Sequence, residues 1–510
     1  MSFISFEFIM FMAVLLLLYY LLPGKYQWMV LLGANLVFYS AAGFYGIIFL
    51  AVIGASSYGC GIYVDRVGEK YAVLRKTECR TREERKENMR KCERAQKKIM
   101  AVFLIVNFAV WGTLKYSLLP LSHPVFPLGI SYYTFIAAGY CIDVYRGICR
   151  AEKNFAKYML FLSFFPHIVQ GPFSRYGDLS ETLYEKHCFS GDGMREGLLR
   201  ILWGIFKKTA VVGRFGLIAD AVYGQELPYG GGFIPLLMIS VSLRLYADFS
   251  GYMDIAAGIC RMLGIRLTEN FRQPFFAKSV EEIWRRWHIT LGAWFRDYLF
   301  YPVLRNGKVQ KIGGRCRDRF GAYWGKLVPG LIALAVVWTA TGFWHGTAWY
   351  HLVWGWMNLF IIAGSMTLAP VYKKMRDVLH ISSENRWWKV FQMFRTFCLF
   401  GFMEMYASSG SAAGAVRLTA AMFRGSIKGS DGVLLAIPGL EGYDVVILAV
   451  CAILMLAVDI MRERQIKIGK RLAGMPYAVR CVMYVGAVYG ILILGDIGSD
   501  VSRGFMYAQF

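Results

Sequence analysis

Apolar residues run in blocks long enough to cross, or nearly cross, about 30 Å of hydrocarbon. They lie near residues 5–22, 28–43, 45–63, 100–120, 127–142, 197–222, 231–263, 328–345, 349–369, 391–408, 443–460 and 478–495. A shorter block at 157–172 is interrupted by Pro166, Gly171 and Pro172, so it reads as a re-entrant or interfacial piece buried in protein. The pattern predicts an all-α polytopic membrane protein of roughly a dozen membrane elements. No long polar block separates the runs, which makes residues 1–510 a single integral membrane domain. The stretch from Met1 to Tyr20 has no basic leader and no small-residue cleavage site after it, and is expected to be a retained first span. No period of 20 to 50 residues recurs and the two halves do not mirror each other, which argues against an inverted-repeat transporter.

Charge adds orientation to this picture. The chain is 56% hydrophobic, yet its 57 Lys and Arg outnumber its 34 Asp and Glu, for a net +23. Both facts fit a membrane protein whose charge sits in loops. Residues 65–99 hold 13 Lys and Arg against 7 Asp and Glu, and residues 305–326, 373–395 and 461–480 are also basic. The positive-inside rule places all four in the cytoplasm, with 65–99 as a basic cytoplasmic loop and the N-terminus extracytoplasmic. Their expected partners are anionic lipid headgroups. A nucleic-acid role would need a soluble module carrying stacking aromatics, and the sequence offers none. The eleven cysteines form no C-x-x-C pair and match no zinc spacing, so no metal site is expected.

The informative residues are ionisable groups inside apolar sequence, where a charge near the bilayer centre costs at least about 2.5 kcal/mol. In Trp338-Thr-Ala-Thr-Gly-Phe-Trp-His345-Gly-Thr-Ala-Trp349, helical spacing puts Trp338, Thr341, Gly342, His345 and Trp349 on one face. His345 is then either a satisfied helix-to-helix hydrogen bonder or a base facing a channel. His351, six residues on, points elsewhere and makes no metal pair with it. Residues 281–302 read as one interfacial amphipathic helix ended by Pro302, with His288 on the stripe of Trp284, Leu291 and Phe295, and with Arg285 and Arg296 together on another face. That helix is either an anchor or an anion-handling face with His288 turned inward. Asp248 and Asp254 stand in apolar sequence near arginines, as a buried ion pair or a catalytic pair. His167 caps the break at 164–175 or lines something polar.

These segments together resemble the membrane-bound O-acyltransferase family, in particular its bacterial alginate O-acetylating branch. The matching stretches are Pro127–Phe135 with Ile142–Gly147, Phe165–Pro172, Asp248–Asp254, Glu269-Asn-Phe-Arg-Gln-Pro274, Trp284–Leu291, Trp294–Tyr298 and Gly342-Phe-Trp-His-Gly346. They fall in one order across 127–355, the expected catalytic core, with additional C-terminal spans over 391–510. The terminal Gly504–Phe510 is similar to that branch's aromatic tail. The D-alanyl transferases of teichoic acid synthesis share the Trp-His and Phe-Trp-His-Gly segments. Three features here favour the polysaccharide-acetylating branch: the Gln170–Arg175 segment, Asp254 after Gly-Tyr-Met, and over a hundred residues beyond Gly355.

The resemblance implies a helical bundle enclosing a tunnel or funnel, with short re-entrant and interfacial amphipathic helices. It implies that His345 matches the family's catalytic histidine and His288 its upstream companion, which would orient the acceptor or steady an oxyanion. Arg285, Arg286, Arg296, Asp254, Trp287 and Trp344 become candidates for donor or substrate contact. The expected chemistry is transfer of an acyl group, acetyl by preference, from a thioester such as acetyl-CoA at the cytoplasmic face, with no bound cofactor. The acceptor is an extracytoplasmic polysaccharide hydroxyl, reached through an extracytoplasmic esterase-like partner protein. The rival readings are D-alanyl transfer to teichoic acid and, from a different class, export of an anionic or glycan-linked solute.

Overall fold

The computed structural model describes residues 2–41, 43–79, 81–116, 127–223, 234–424 and 440–495. Among them the regular structure is helical, with one isolated antiparallel bridge between Phe271 and Trp287. The helices are α1 (Phe6–Leu21), α2 (Gln27–Ser40), α3 (Phe44–Thr77), α4 (Arg82–Lys115), α5 (Ile130–Tyr145), α6 (Phe155–Ser163), α7 (Phe165–Ile168), α8 (Tyr176–Leu183), α9 (Gly191–Phe206), α10 (Val212–Tyr223) and α11 (Ile234–Met262). There follow α12 (Val280–Arg286), α13 (Ile289–Phe295), α14 (Tyr301–Leu304), α15 (Gly307–Phe320), α16 (Ala322–His345), α17 (Trp349–Thr367) and α18 (Ala369–Val378). The last are α19 (Arg386–Ser408), α20 (Ala412–Arg424), α21 (Gly442–Glu463), α22 (Ile468–Ala473) and α23 (Tyr477–Leu494). Residues 504–510, matched above to an aromatic tail, lie outside the described residues.

Among the described residues five helices, α3, α4, α16, α21 and α23, are long and apolar enough to cross a membrane, and α17 with α18, bent by 56°, would make a sixth. Several other apolar blocks fold as helices that are too short or too polar for that test. The block at 127–142 is the 16-residue α5, nearly all buried, and that at 197–222 is divided by a π-helical turn carrying Lys207 and Lys208. An apolar run marks burial, and burial in protein and burial in lipid have the same sequence signature.

The chain divides into two compact units, residues 1–200 with 256–268, and residues 201–255 with 269–510. In the first unit the basic segment 65–99 is no loop. It forms the ends of two 34-residue helices, α3 and α4, joined by a short turn. Thr81 and Glu84 form a reciprocal capping box at the start of α4, which satisfies two amide donors and lets the second helix begin at once. At 1.5 Å per residue each helix is about 50 Å long, well over the hydrocarbon thickness, so the charged end of the hairpin extends past the apolar layer. The same unit holds the break at 164–172. The Phe165 amide donates to Asn35 Oδ1 at 3.1 Å, so Asn35 caps the break, and His167 is packed edge-on between Phe161 and Phe164. Gly171 is required there, since a Cβ would lie 2.1 Å from the His167 Cα.

The second unit is organised around α16 and α17. A cluster of Val280, Trp338, Trp354, Ile362 and Met403 forms its core beside α12 and α19. The two helices approach so closely that a Cβ on Gly355 would sit 2.6 Å from the Trp338 carbonyl oxygen.

Candidate active site

His345 is the last residue of α16, which stops there because Gly346 turns to extended backbone. It is 8% exposed. Trp344 and Trp354 lie edge-on to its imidazole, with ring centroids at 4.8 and 4.7 Å. Trp354 is held in turn, since its indole N–H donates to Glu404 Oε1 at 3.1 Å. Trp284 Nε1 donates to Asn358 Oδ1 at 2.9 Å, and Asn358 Nδ2 donates to the Trp354 carbonyl at 3.0 Å. Together with the Trp284 contacts to Trp338 and Trp354 at 5.2 and 5.6 Å, these bonds fix α12 against α16 and α17. The imidazole therefore sits against a rigid aromatic wall.

Trp349 does not share a helix face with His345. It opens α17 and is 76% exposed. The sequence of His345–Trp349 suits a helix, but Gly346 ends the run. His351 packs back under that turn, close enough that a Cβ on Gly346 would clash with its ring.

The predicted single helix over 281–302 is likewise broken. α12 ends at Arg286, His288 adopts left-handed φ 46° and ψ 49°, and α13 starts at Ile289. A π-helical turn at Arg296–Phe300 follows, and Pro302 sits in the first turn of α14 instead of ending a helix. The left-handed conformation costs a side-chain-bearing residue roughly 1 kcal/mol, and it frees the imidazole from the Trp284, Leu291 and Phe295 stripe. His288 is buried beside Phe249 at 4.8 Å and Trp344 at 5.9 Å. Trp344 thus touches both histidines, and this contact brings His288 and His345 to one place. Burial pushes the His288 imidazole well below the ordinary histidine value, so it is neutral at physiological pH.

The remaining candidates are distributed differently. Trp287 is 1% exposed in a core formed with Phe271, Phe400 and Tyr246. Arg285 is paired with Glu281, Arg286 with Glu282 and Glu463 (2.9 Å each), and Arg296 with Asp297 at 2.9 Å, the first and last being exposed. The arginines do not form the shared face that a continuous helix would have given. Asp254 and Asp248 are in buried ion pairs, as one of the two sequence readings had it. Their partners, however, are mainly lysines from the π-turn: Lys207 Nζ meets Asp254 Oδ2 at 2.6 Å and Lys208 meets Asp248, while Arg462 reaches Asp254 at 3.6 Å. Among the described residues no group of three or more His, Cys, Asp and Glu could hold a metal ion.

Sequence reasoning missed Glu404, Lys207 and Lys208, although each is an ionisable residue inside an apolar run and the criterion applied to Asp254 would have found them. It also gave no role to Asn270, which contacts three successive residues at the His288 turn.

Two neutral-capable imidazoles against a buried aromatic wall can abstract or orient a hydroxyl proton. No family model matches the chain. A Pseudomonas putida protein named probable alginate O-acetylase AlgI is 31% identical over 362 residues, covering 69% of this chain and 68% of that one. The chain belongs to the membrane-bound O-acyltransferase family. The Azotobacter vinelandii protein of the same name is 30% identical over 365 residues, 68% of this chain and 64% of its own length. The chain thus spans a little under two thirds of that relative. A more distant member, the teichoic acid D-alanyltransferase of Streptococcus thermophilus, is 29% identical over 290 residues, 53% of this chain and 65% of that one. As a membrane-bound O-acyltransferase with several membrane-length helices, the chain is a multi-pass membrane protein.

Proposed function

We propose that the protein is a membrane-embedded O-acyltransferase that moves an acyl group, acetyl by preference, from a cytoplasmic thioester donor such as acetyl-CoA toward an extracytoplasmic polysaccharide hydroxyl. The observation that carries this reading is the placement of His345 at the end of a membrane-length helix, enclosed by Trp344 and Trp354 and joined through Trp344 to His288. His345 acts as the base toward the acceptor hydroxyl. General-base help of this kind is worth roughly 10²–10⁴-fold, and the aromatic enclosure keeps water from the thioester. His288, whose ring also contacts Trp344, assists. The basic ends of α3 and α4 face the cytoplasm and the N-terminus is extracytoplasmic. A separate extracytoplasmic esterase-like protein would complete delivery to the polymer. The acetylase names of the 30–31% identical relatives support acetyl over D-alanyl transfer, since the D-alanyltransferase match is lower and covers less of this chain.

The test uses inside-out membrane vesicles supplied with radiolabelled acetyl-CoA, together with ester analysis of the surface polymer in cells. His345→Ala is expected to insert normally and to lose both signals by at least about 100-fold. Retained acyl transfer in that variant overturns the assignment.

A further inference from the structure

Asn270 precedes the isolated bridge between Phe271 and Trp287 and lies against the turn that carries His288. Its carbonyl accepts from the Ile289 amide at 3.0 Å, and the Arg272 amide donates to the Arg286 carbonyl at 2.8 Å on the other side of the bridge. Its side-chain Oδ1 faces three groups: the Thr290 amide at 3.0 Å, Thr290 Oγ1 at 2.9 Å and His288 Nδ1 at 3.3 Å. Nδ2 faces Met253 Sδ at 3.7 Å. Asn270 is 1% exposed, so these contacts are made away from water.

The chemistry of the donors fixes the orientation. A backbone N–H can only donate, so the atom opposite the Thr290 amide must be the amide oxygen of Asn270 and not its nitrogen. The same oxygen faces His288 Nδ1. A neutral imidazole meets an acceptor favourably only through a protonated nitrogen, so Nδ1 carries the hydrogen and Nε2 keeps its lone pair.

We infer that Asn270 is a positioning residue that holds His288 in its Nδ1-protonated tautomer, so that Nε2 can only accept a hydrogen bond. His288 then receives the acceptor hydroxyl's hydrogen bond and cannot donate to an oxyanion, which selects the first of the two roles that the family resemblance implies for it. This deepens the acyltransferase reading and rests on it for its catalytic meaning, while the tautomer itself is a property of the protein without substrate.

The test is a pair of measurements on the full chain in lipid. Nitrogen NMR of ¹⁵N-histidine protein at pH 7.5, with His288 assigned by difference against His288→Ala, is expected to show protonated Nδ1 and unprotonated Nε2. Asn270→Asp, which preserves the acceptor oxygen, is expected to keep that pattern, and Asn270→Leu to lose it. A wild-type His288 protonated on Nε2, or an Asn270→Leu spectrum unchanged from wild type, overturns the inference. In the acetyl-CoA vesicle assay Asn270→Leu is expected to slow transfer by about 10-fold or more. The His288→Ala, Asn270→Leu double variant should be within about 2-fold of His288→Ala alone, because the two act as a unit. Multiplying losses overturn the claim that Asn270 works through His288. Full acyl transfer by His288→Ala sinks the catalytic reading of His288 and leaves the spectroscopic result to stand or fall separately.

Discussion

The indole N–H of Trp354 donates to Glu404 Oε1 at 3.1 Å, and the ring of the same residue forms one wall of His345, at 4.7 Å between centroids. A carboxyl group on α19 therefore sets the ring that encloses the candidate base on α16. Glu404→Gln keeps an acceptor oxygen and is expected to leave thermal stability in detergent near that of the parent. Glu404→Leu strands a buried indole donor and should cost about 1–3 kcal/mol, read as a lowered melting temperature with a fall in acyl transfer.

The Lys207 and Asp254 side chains are 2% and 5% exposed, so their pair exchanges little with water. Asp254→Asn takes from the Lys207 ammonium the carboxylate it meets directly and should destabilise by about 3–5 kcal/mol. Pairing it with Lys207→Met removes the buried ammonium as well, and the double variant is expected to unfold at a higher temperature than Asp254→Asn alone. A double variant no more stable than the single would show that the pair is not the relevant unit.

Gly355→Ala places a methyl group against the Trp338 carbonyl oxygen, a backbone atom with no side-chain freedom to yield. The α16–α17 crossing must open, at about 1–3 kcal/mol. Since His345 ends α16, transfer should fall more than stability does, which paired melting and vesicle assays would read. Gly364→Ala, on the same helix and facing open space, serves as the comparison and should be close to neutral.

His288 gives a pH dependence of definite sign. Its folded-state imidazole is held below the unfolded value by burial. Below the ordinary histidine pKa the unfolded chain takes up a proton that the folded chain refuses, so stability falls as pH drops below about 6.5 and is unaffected above it. His288→Gln should flatten the part of the melting-temperature loss between pH 7.5 and 4.5 that belongs to this group.

Orientation is checked at the α3–α4 hairpin. Lys86 is exposed near the start of α4. In a chain whose own cysteines are replaced, Lys86→Cys should react with a membrane-impermeant maleimide in inside-out vesicles and not in intact spheroplasts. Labelling in spheroplasts would reverse the proposed topology.

The sequence by itself determined the helical membrane class, through residue type and spacing, and the family, through the resemblance of its motifs, and it singled out His288 and His345 as candidates. Lipid demands long apolar helices whatever they pack against, and a charge in apolar sequence is conspicuous without coordinates. The tertiary structure decided everything that depends on who meets whom. Residues 65–99 have the charge expected of a loop, yet their helical caps and mutual packing make them a hairpin. Residues 281–302 have helical periodicity throughout, yet Asn270, eighteen positions before His288, supplies hydrogen bonds that hold the left-handed turn. Periodicity records which face a residue would occupy on an unbroken helix and carries no signal for a distant acceptor that makes breaking it favourable. For the same reason Arg285 and Arg296 looked like one cationic face and are in separate ion pairs, and Trp344 was one of several candidate contact residues until the fold brought its ring against both His345 and His288.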